Sequence, residues 1–165
     1  MIRLRRGLER LSTFAALIGG GFLLVAVAVT SASVIRGVFG RPILGDSEIV
    51  EMCLGVAVAL FLPYGEMKGS HVIVDVFTAR LPARGRAWLD AFMRGIVALV
   101  AAVLALRLLD GTMVQWERER ATMFLELPYW WGYAGASLGL ILWAISAFFV
   151  AFEHTRIRQH LGKAS

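Results

Sequence analysis

Four long apolar stretches alternate with short charged segments along this chain, and the charges gather in five patches rather than recurring on one face of each stretch. The first stretch, residues 11–35, carries no charged side chain. Roughly 25 positions at about 1.5 Å per residue make a helix that crosses a hydrocarbon layer of ~30 Å with some tilt. The second, residues 46–66, is uncharged only from 52 to 65 and reaches spanning length once its polar ends are included. Asp46 or Ser47 is placed to cap it, Glu48 complements the positive end of its dipole, and Pro63 is expected to kink or loosen its last turn. In the third, residues 88–109, an apolar centre is flanked by Asp90, Arg94, Arg107 and Asp110, and the arginines are long enough to snorkel towards headgroups. The fourth, residues 127–152, opens on Tyr129, Trp130 and Trp131, whose amphipathic rings favour the membrane interface. The pattern predicts an all-α integral membrane protein with four transmembrane helices, one membrane domain over residues 1–165, and a basic tail at 153–165.

Composition agrees: 58% of the 165 residues are hydrophobic and 18% charged, far from the soluble average. The lone Cys53 has no partner for an intramolecular disulfide and lies in an apolar stretch, where a thiol behaves as a small hydrophobe. A net charge of +5 would suit nucleic acid if it formed a soluble basic face, but the arginines flank apolar segments and read instead as topology signals. Arg3, Arg5, Arg6 and Arg10 resemble a signal-peptide n-region, and residues 31–33 a weak cleavage site. The apolar core is too long for one, so a retained signal-anchor is expected.

Four spans put both termini on one side. That side holds Arg3, Arg5, Arg6, Arg10, Lys68, Arg80, Arg84, Arg86, Arg94, Arg156, Arg158 and Lys163, twelve of the 17 basic residues, which predicts cytoplasmic termini. The opposite loops carry seven carboxylates, including Asp46, Glu48 and Glu51, and are net acidic.

The connection between the second and third spans places His71, Asp75 and Thr78 on one helical face and Ile73, Val76 and Phe77 on another, as in an amphipathic helix lying on the membrane. Alternating Val72, Val74 and Val76 also permits a strand, which would leave unpaired edges beside lipid, so the helix is preferred. His71 and Asp75 match a bare His-x-x-x-Asp acyl-transfer pattern, yet without a nucleophile or acceptor pocket a polar i,i+4 pair fixing the linker is the better reading. No transmembrane histidine pair is available for haem, and no catalytic, cofactor or metal set is expected.

On the second helix Glu48, Glu51, Gly55, Ala59 and Glu66 fall near one face. A stripe of carboxylates and small residues suits an ion path. Because Glu48, Glu51 and Glu66 lie near the helix ends, interfacial anchoring plus close helix approach at Gly55 and Ala59 is favoured. Gly135-x-x-x-Gly139 with Gly132 and Ala136 in the fourth helix, Ala98 and Ala102 in the third, and Ala16 and Gly20 in the first form similar smooth faces. Trp143, deep in the last span, is expected to pack against helices or lipid.

Three segments carry a family resemblance: Arg36-x-x-Phe39-Gly40-Arg41-Pro42-x-x-Gly45-x-x-Glu48 after the first span, Gly69-x-His71-x-x-Val74-Asp75 leading to Leu81-Pro82, and Leu127-Pro128-x-Trp130 entering the fourth span. In their order between four spans they resemble the small permease subunit, the DctQ-type subunit, of tripartite ATP-independent periplasmic (TRAP) transporters, across nearly the whole chain. The resemblance implies a bacterial inner-membrane complex of this subunit with a large multi-span membrane subunit and a soluble periplasmic substrate-binding protein. It implies sodium-coupled import of an organic acid such as a dicarboxylate or sialic acid. The large subunit would hold the substrate and sodium sites, and this chain would enlarge the fixed scaffold and help dock the binding protein. Arg36, Gly45, Glu48, Glu51, Gly55, Glu66, Gly69, His71, Asp75, Pro128, Trp130, Gly135 and Gly139 are then the candidate interface or structural residues, with membrane lipid as a further partner and nucleic acid excluded.

A self-contained homo-oligomeric ion-coupled transporter is the alternative, but it would be expected to place a carboxylate at mid-membrane. A membrane enzyme would need convergent catalytic groups, and a purely structural assembly factor stays open.

The predicted orientation is checked by thiol labelling in a Cys53→Ala background. Cysteines introduced near Gly69 and Lys163 should resist an impermeant reagent in intact cells and one near Thr122 should react; the reverse pattern would invert the topology.

Overall fold

A computed structural model describes residues 2–40, 43–68 and 83–161. They form four helices: α1 (Ile2–Val38), α2 (Asp46–Met67), α3 (Ala83–Glu117) and α4 (Trp130–Leu161). Each is long and apolar enough to cross a membrane. The connection that carries Gly69, His71 and Asp75 lies outside the described residues.

The helices outrun the apolar stretches that announce them. Helix α1 has 37 residues, α3 35 and α4 32, against the ~20 that a bilayer requires. Arginine and glutamate are good helix formers, so the backbone ladder continues into the polar flanks. At the start of α1 this is supported by Arg5, whose Nε donates to Glu9 Oε1 at 3.1 Å one turn away. Helix α4 begins at Trp130 rather than 127, because Pro128 has no N–H and its preceding residue is held extended.

The packing order is not the chain order. Helix α2 packs against α1 on one side and α4 on the other, α3 packs against the far side of α4, and α1 only grazes α4. The spatial file is therefore α1, α2, α4, α3. Residues 2, 68, 83 and 161 lie at one end, the terminal end, and the loop 118–129 lies at the other, the loop end.

Small residues set each contact. A Cβ added at Gly135 would stand 2.9 Å from Val56 Cγ2, and one at Gly139 would stand 2.6 Å from the carbonyl carbon and oxygen of Ala59. The predicted Gly135 and Gly139 face is thus the seat of α2 on α4. Helix α2 presents Met52, Val56 and Ala59 to it; Gly55 meets nothing within 4 Å, so the expected close approach falls at Ala59 alone. Pro63, buried within α2, has no N–H to return to the carbonyl of Ala59 four residues back. That carbonyl is the one lying against Gly139. The helix continues through the proline to Met67, with its freed acceptor against Gly139.

The α1 contact is displaced by one position from the predicted stripe, and in α3 Ala98 packs as expected while Ala101 takes the place of Ala102. In α1 Gly19, not Gly20, meets α2, where an added Cβ would stand 3.1 Å from the Ala57 carbonyl oxygen, and Ala15, not Ala16, is buried. Among the described residues of α3 those buried are Ala98, Ala101 and Ala105; Ala98 and Ala101 form a cluster with Ala147, flanked by Val97, Trp143 and Ala144 of the α3–α4 seam. Thr112 and Ser137 add a hydroxyl contact of 3.0 Å across that seam, and each also donates or can donate to a carbonyl four residues back. No hydroxyl is stranded there in the absence of water.

Introducing a methyl at Gly139 should force α2 and α4 apart. Gly139→Ala is expected to lower stability by about 1–3 kcal/mol through overpacking, read as a lower midpoint of thermal aggregation in mild detergent. Gly20→Ala, where nothing stands within 4 Å, should leave the midpoint unchanged or raise it.

Candidate functional site

The polar side chains that do structural work lie at the two ends of the file. At the loop end, the chain enters α2 through Gly45 with φ +83°, a left-handed conformation natural to glycine. A Cβ there would come within 2.8 Å of Leu125 Cγ, so the position is closed on both counts. Gly45 is the N-cap, displacing Asp46 and Ser47 from that expected role. The Asp46 carboxylate accepts the Ser47 N–H at 2.7 Å instead.

Glu48, in the first turn of α2, reaches across to the loop. Its Oε1 accepts the N–H of Phe124 at 2.9 Å and its Oε2 accepts that of Leu125 at 3.1 Å. The loop is otherwise closed on itself: Thr122 donates its N–H to the Leu127 carbonyl at 2.9 Å and accepts the Leu127 N–H on its hydroxyl at 3.0 Å, while Tyr129 donates to Arg120 at 3.0 Å. An isolated bridge joins Ala121 and Pro128, placing Pro128 at the neck of the loop. Two non-glycine residues, Glu119 and Glu126, adopt positive φ (48° and 52°), a conformation that persists where surrounding bonds enforce it. The tip these bonds hold up is apolar, with Met123 87% and Phe124 59% exposed. Below it Trp130 packs edge-on against Trp116 of α3, ring centroids 4.7 Å apart, and against Trp131 at 6.1 Å.

Arg36, in the last turn of α1, is exposed, and Glu48 does not pair with it among the described residues, its oxygens being held by the loop. Glu51 is exposed on α2 and lines an open groove of about 450 Å³ with Gln115, Arg120, Tyr129 and Tyr133; Gly55 lines the same groove deeper in. At the terminal end Glu66 is 4% exposed and accepts the indole N–H of Trp143 at 3.3 Å. Trp143 is therefore helix-packed and hydrogen-bonded, tying α2 to the seam of α3 and α4. The three carboxylates of the predicted stripe thus part company: Glu48 binds the loop, Glu51 faces a groove and Glu66 is buried against α4.

Among the described residues no three of His, Cys, Asp and Glu are placed to hold a metal ion. What the arrangement offers is shape. It is a file of membrane helices clamped at one end by a carboxylate on two backbone N–H groups and at the other by a carboxylate on an indole.

Comparison with known families decides what this shape belongs to. Residues 25–156 match the family model described as tripartite ATP-independent periplasmic transporters, DctQ component. The chain belongs to the DctQ family. It is a small membrane component of a TRAP transporter, a multi-pass protein of a family that works with a large membrane subunit and a binding protein. No curated protein and no solved structure matches the chain. The match covers all three segments on which the resemblance rested and begins within α1, before Arg36.

Thr122 and the interhelical pair Thr112 and Ser137 had no signal in the sequence, because single hydroxyls in apolar runs are common. Gly45 and Glu48 did have one, as a glycine and a carboxylate at a helix start.

Removing the Glu48 carboxylate should loosen the loop before it touches the helices. In Glu48→Ala, amide exchange at Phe124 and Leu125 should accelerate several-fold as both N–H groups lose their carboxylate acceptor, while exchange at Ala57 stays protected. Unchanged exchange at 124 and 125 would remove the clamp.

Proposed function

We propose that this DctQ-family chain is the fixed scaffold of a sodium-coupled importer of an organic acid, and that it neither binds nor moves the solute itself. Membership of the family supports a role beside a large membrane subunit, and the architecture supports a passive one. Its internal contacts are close, small-residue helix seams suited to a rigid body. The two outer helices of the file present apolar faces, with Leu17 and Leu24 at least 70% exposed on α1 and Leu99 65% exposed on α3, surface available to lipid and to a neighbouring subunit.

In this reading the termini are cytoplasmic and the loop end faces the periplasm. The loop 118–129, braced by Glu48 and tipped with Met123 and Phe124, then stands where a soluble binding protein would arrive. Arg36, exposed beside it, is free to meet the large subunit or the binding protein. The linker with Gly69, His71 and Asp75 would lie on the cytoplasmic face, fixing the scaffold to headgroups or to the partner.

Reconstitution separates this from a self-contained transporter. Liposomes with this chain alone should show no sodium-driven uptake in the presence of the binding protein, and addition of the large subunit should produce it. Uptake by the chain alone would promote the homo-oligomeric transporter, with Glu48, Glu51 and Glu66 the first residues to neutralise.

A further inference from the structure

At the terminal end the groove between α1 and α2 carries an uncompensated cluster of cations. Arg6 and Arg10, one turn apart on α1, and Lys68, the residue that ends α2, line a groove of about 510 Å³ together with Tyr64, Phe14 and Leu17. None of the three cations has a carboxylate partner among the described residues. The one acid in the groove, Glu9, already accepts the Arg5 guanidinium at 3.1 Å. Lys68 is held over the groove by Tyr64, its Nζ 5.7 Å from the ring centroid. Three like charges lining one groove repel one another, and a single anion between them would turn that repulsion into attraction.

The rest of the groove is apolar and faces outward. Phe14 is 61% and Leu17 70% exposed, and both lie one to two turns further along α1, inside its uncharged segment. A basic mouth followed by an apolar track along the helix has the proportions of a phospholipid, with the cations at headgroup level and Phe14 and Leu17 at the level of the acyl chains. We propose that the α1–α2 groove is a binding site for an anionic phospholipid, its phosphate held by Arg6, Arg10 and Lys68 and one acyl chain laid along Phe14 and Leu17. Topology alone requires only that positive charge lie on one side of the membrane. It does not require three cations to converge on one groove with an apolar track beneath them. The inference is independent of the scaffold reading and of which face the terminal end occupies.

The test uses the full chain purified in a neutral detergent, with phosphatidylglycerol and phosphatidylcholine of matched acyl chains as probes, read by native mass spectrometry. The wild-type chain should retain phosphatidylglycerol over phosphatidylcholine. Replacing the three cations together (Arg6→Gln, Arg10→Gln, Lys68→Gln) should weaken retention by about tenfold or more, given that each such charge near an anionic surface contributes severalfold. A variant of equal net charge, Arg94→Gln with Arg107→Gln and Arg118→Gln, should retain the lipid as the wild type does. A photoactivatable phosphatidylglycerol on the unmodified chain, alone and with the large subunit, should label residues 6–17 and 64–68, which keeps the test decisive even if the triple variant fails to fold. Equal retention by the two triple variants, equal binding of both lipids, labelling confined to other helices, or loss of labelling when the large subunit fills the groove would each overturn the proposal.

Discussion

The seating of the α2 backbone at Ala59 against Gly139 of α4, where an added Cβ would stand 2.6 Å from the Ala59 carbonyl, is the constraint from which the helix order follows. Two facts of covalent chemistry meet there. Pro63 leaves the Ala59 carbonyl without its helical donor, and Gly139 has no Cβ to hold a neighbour away. In a hydrocarbon environment there is no water to solvate a freed carbonyl and no hydrophobic drive to bring helices together, so helices meet where backbones can approach. Once α2 and α4 are seated side by side and parallel, α1 and α3 are left to the outer flanks, each on the helix next to it in sequence beyond the loops. A simple up-and-down bundle, with α2 beside α3, is thereby excluded.

The loop end depends on that seating. Glu48 sits three residues into α2, and its partners Phe124 and Leu125 are 76 and 77 positions along the chain. The carboxylate meets those N–H groups only because α4, which carries the end of the loop, lies against α2. Gly45 then completes the fit, its bare Cα making room for Leu125. Glu66 and Trp143 repeat the logic at the opposite end over a separation of 77 residues. Two carboxylates near the ends of one helix therefore hold α2 in axial register with α4, while the glycines set its distance.

The sequence announced the four helices because a bilayer demands uninterrupted apolar length, and that length is visible without any partner. It announced the Gly135 and Gly139 face because small residues four apart are conspicuous on a helix of Leu, Ile, Phe and Trp. It misplaced the face of α1 by one residue, and in α3 it found Ala98 but took Ala102 for Ala101. In a membrane helix every side is apolar, so hydropathy does not separate the packed face from the lipid-facing one, and Ala15 and Gly19 look no different from Ala16 and Gly20. The stripe of Glu48, Glu51 and Glu66 was legible as a stripe, but its three destinations depend on partners more than 60 positions away. Helix order is hidden for the same reason, since small-residue faces name no partner.

Disulfide trapping in native membranes tests most directly whether α2 and α4 are parallel neighbours with α3 outside them. In a Cys53→Ala background, cysteines at positions 56 and 135 should crosslink readily on mild oxidation, as should a pair at 112 and 137 across the seam of α3 and α4, while a pair at 58 and 103 on α2 and α3 should not. Efficient crosslinking of 58 with 103, without trapping of 56 with 135, would contradict the order and with it the clamp, the loop and the scaffold built upon it.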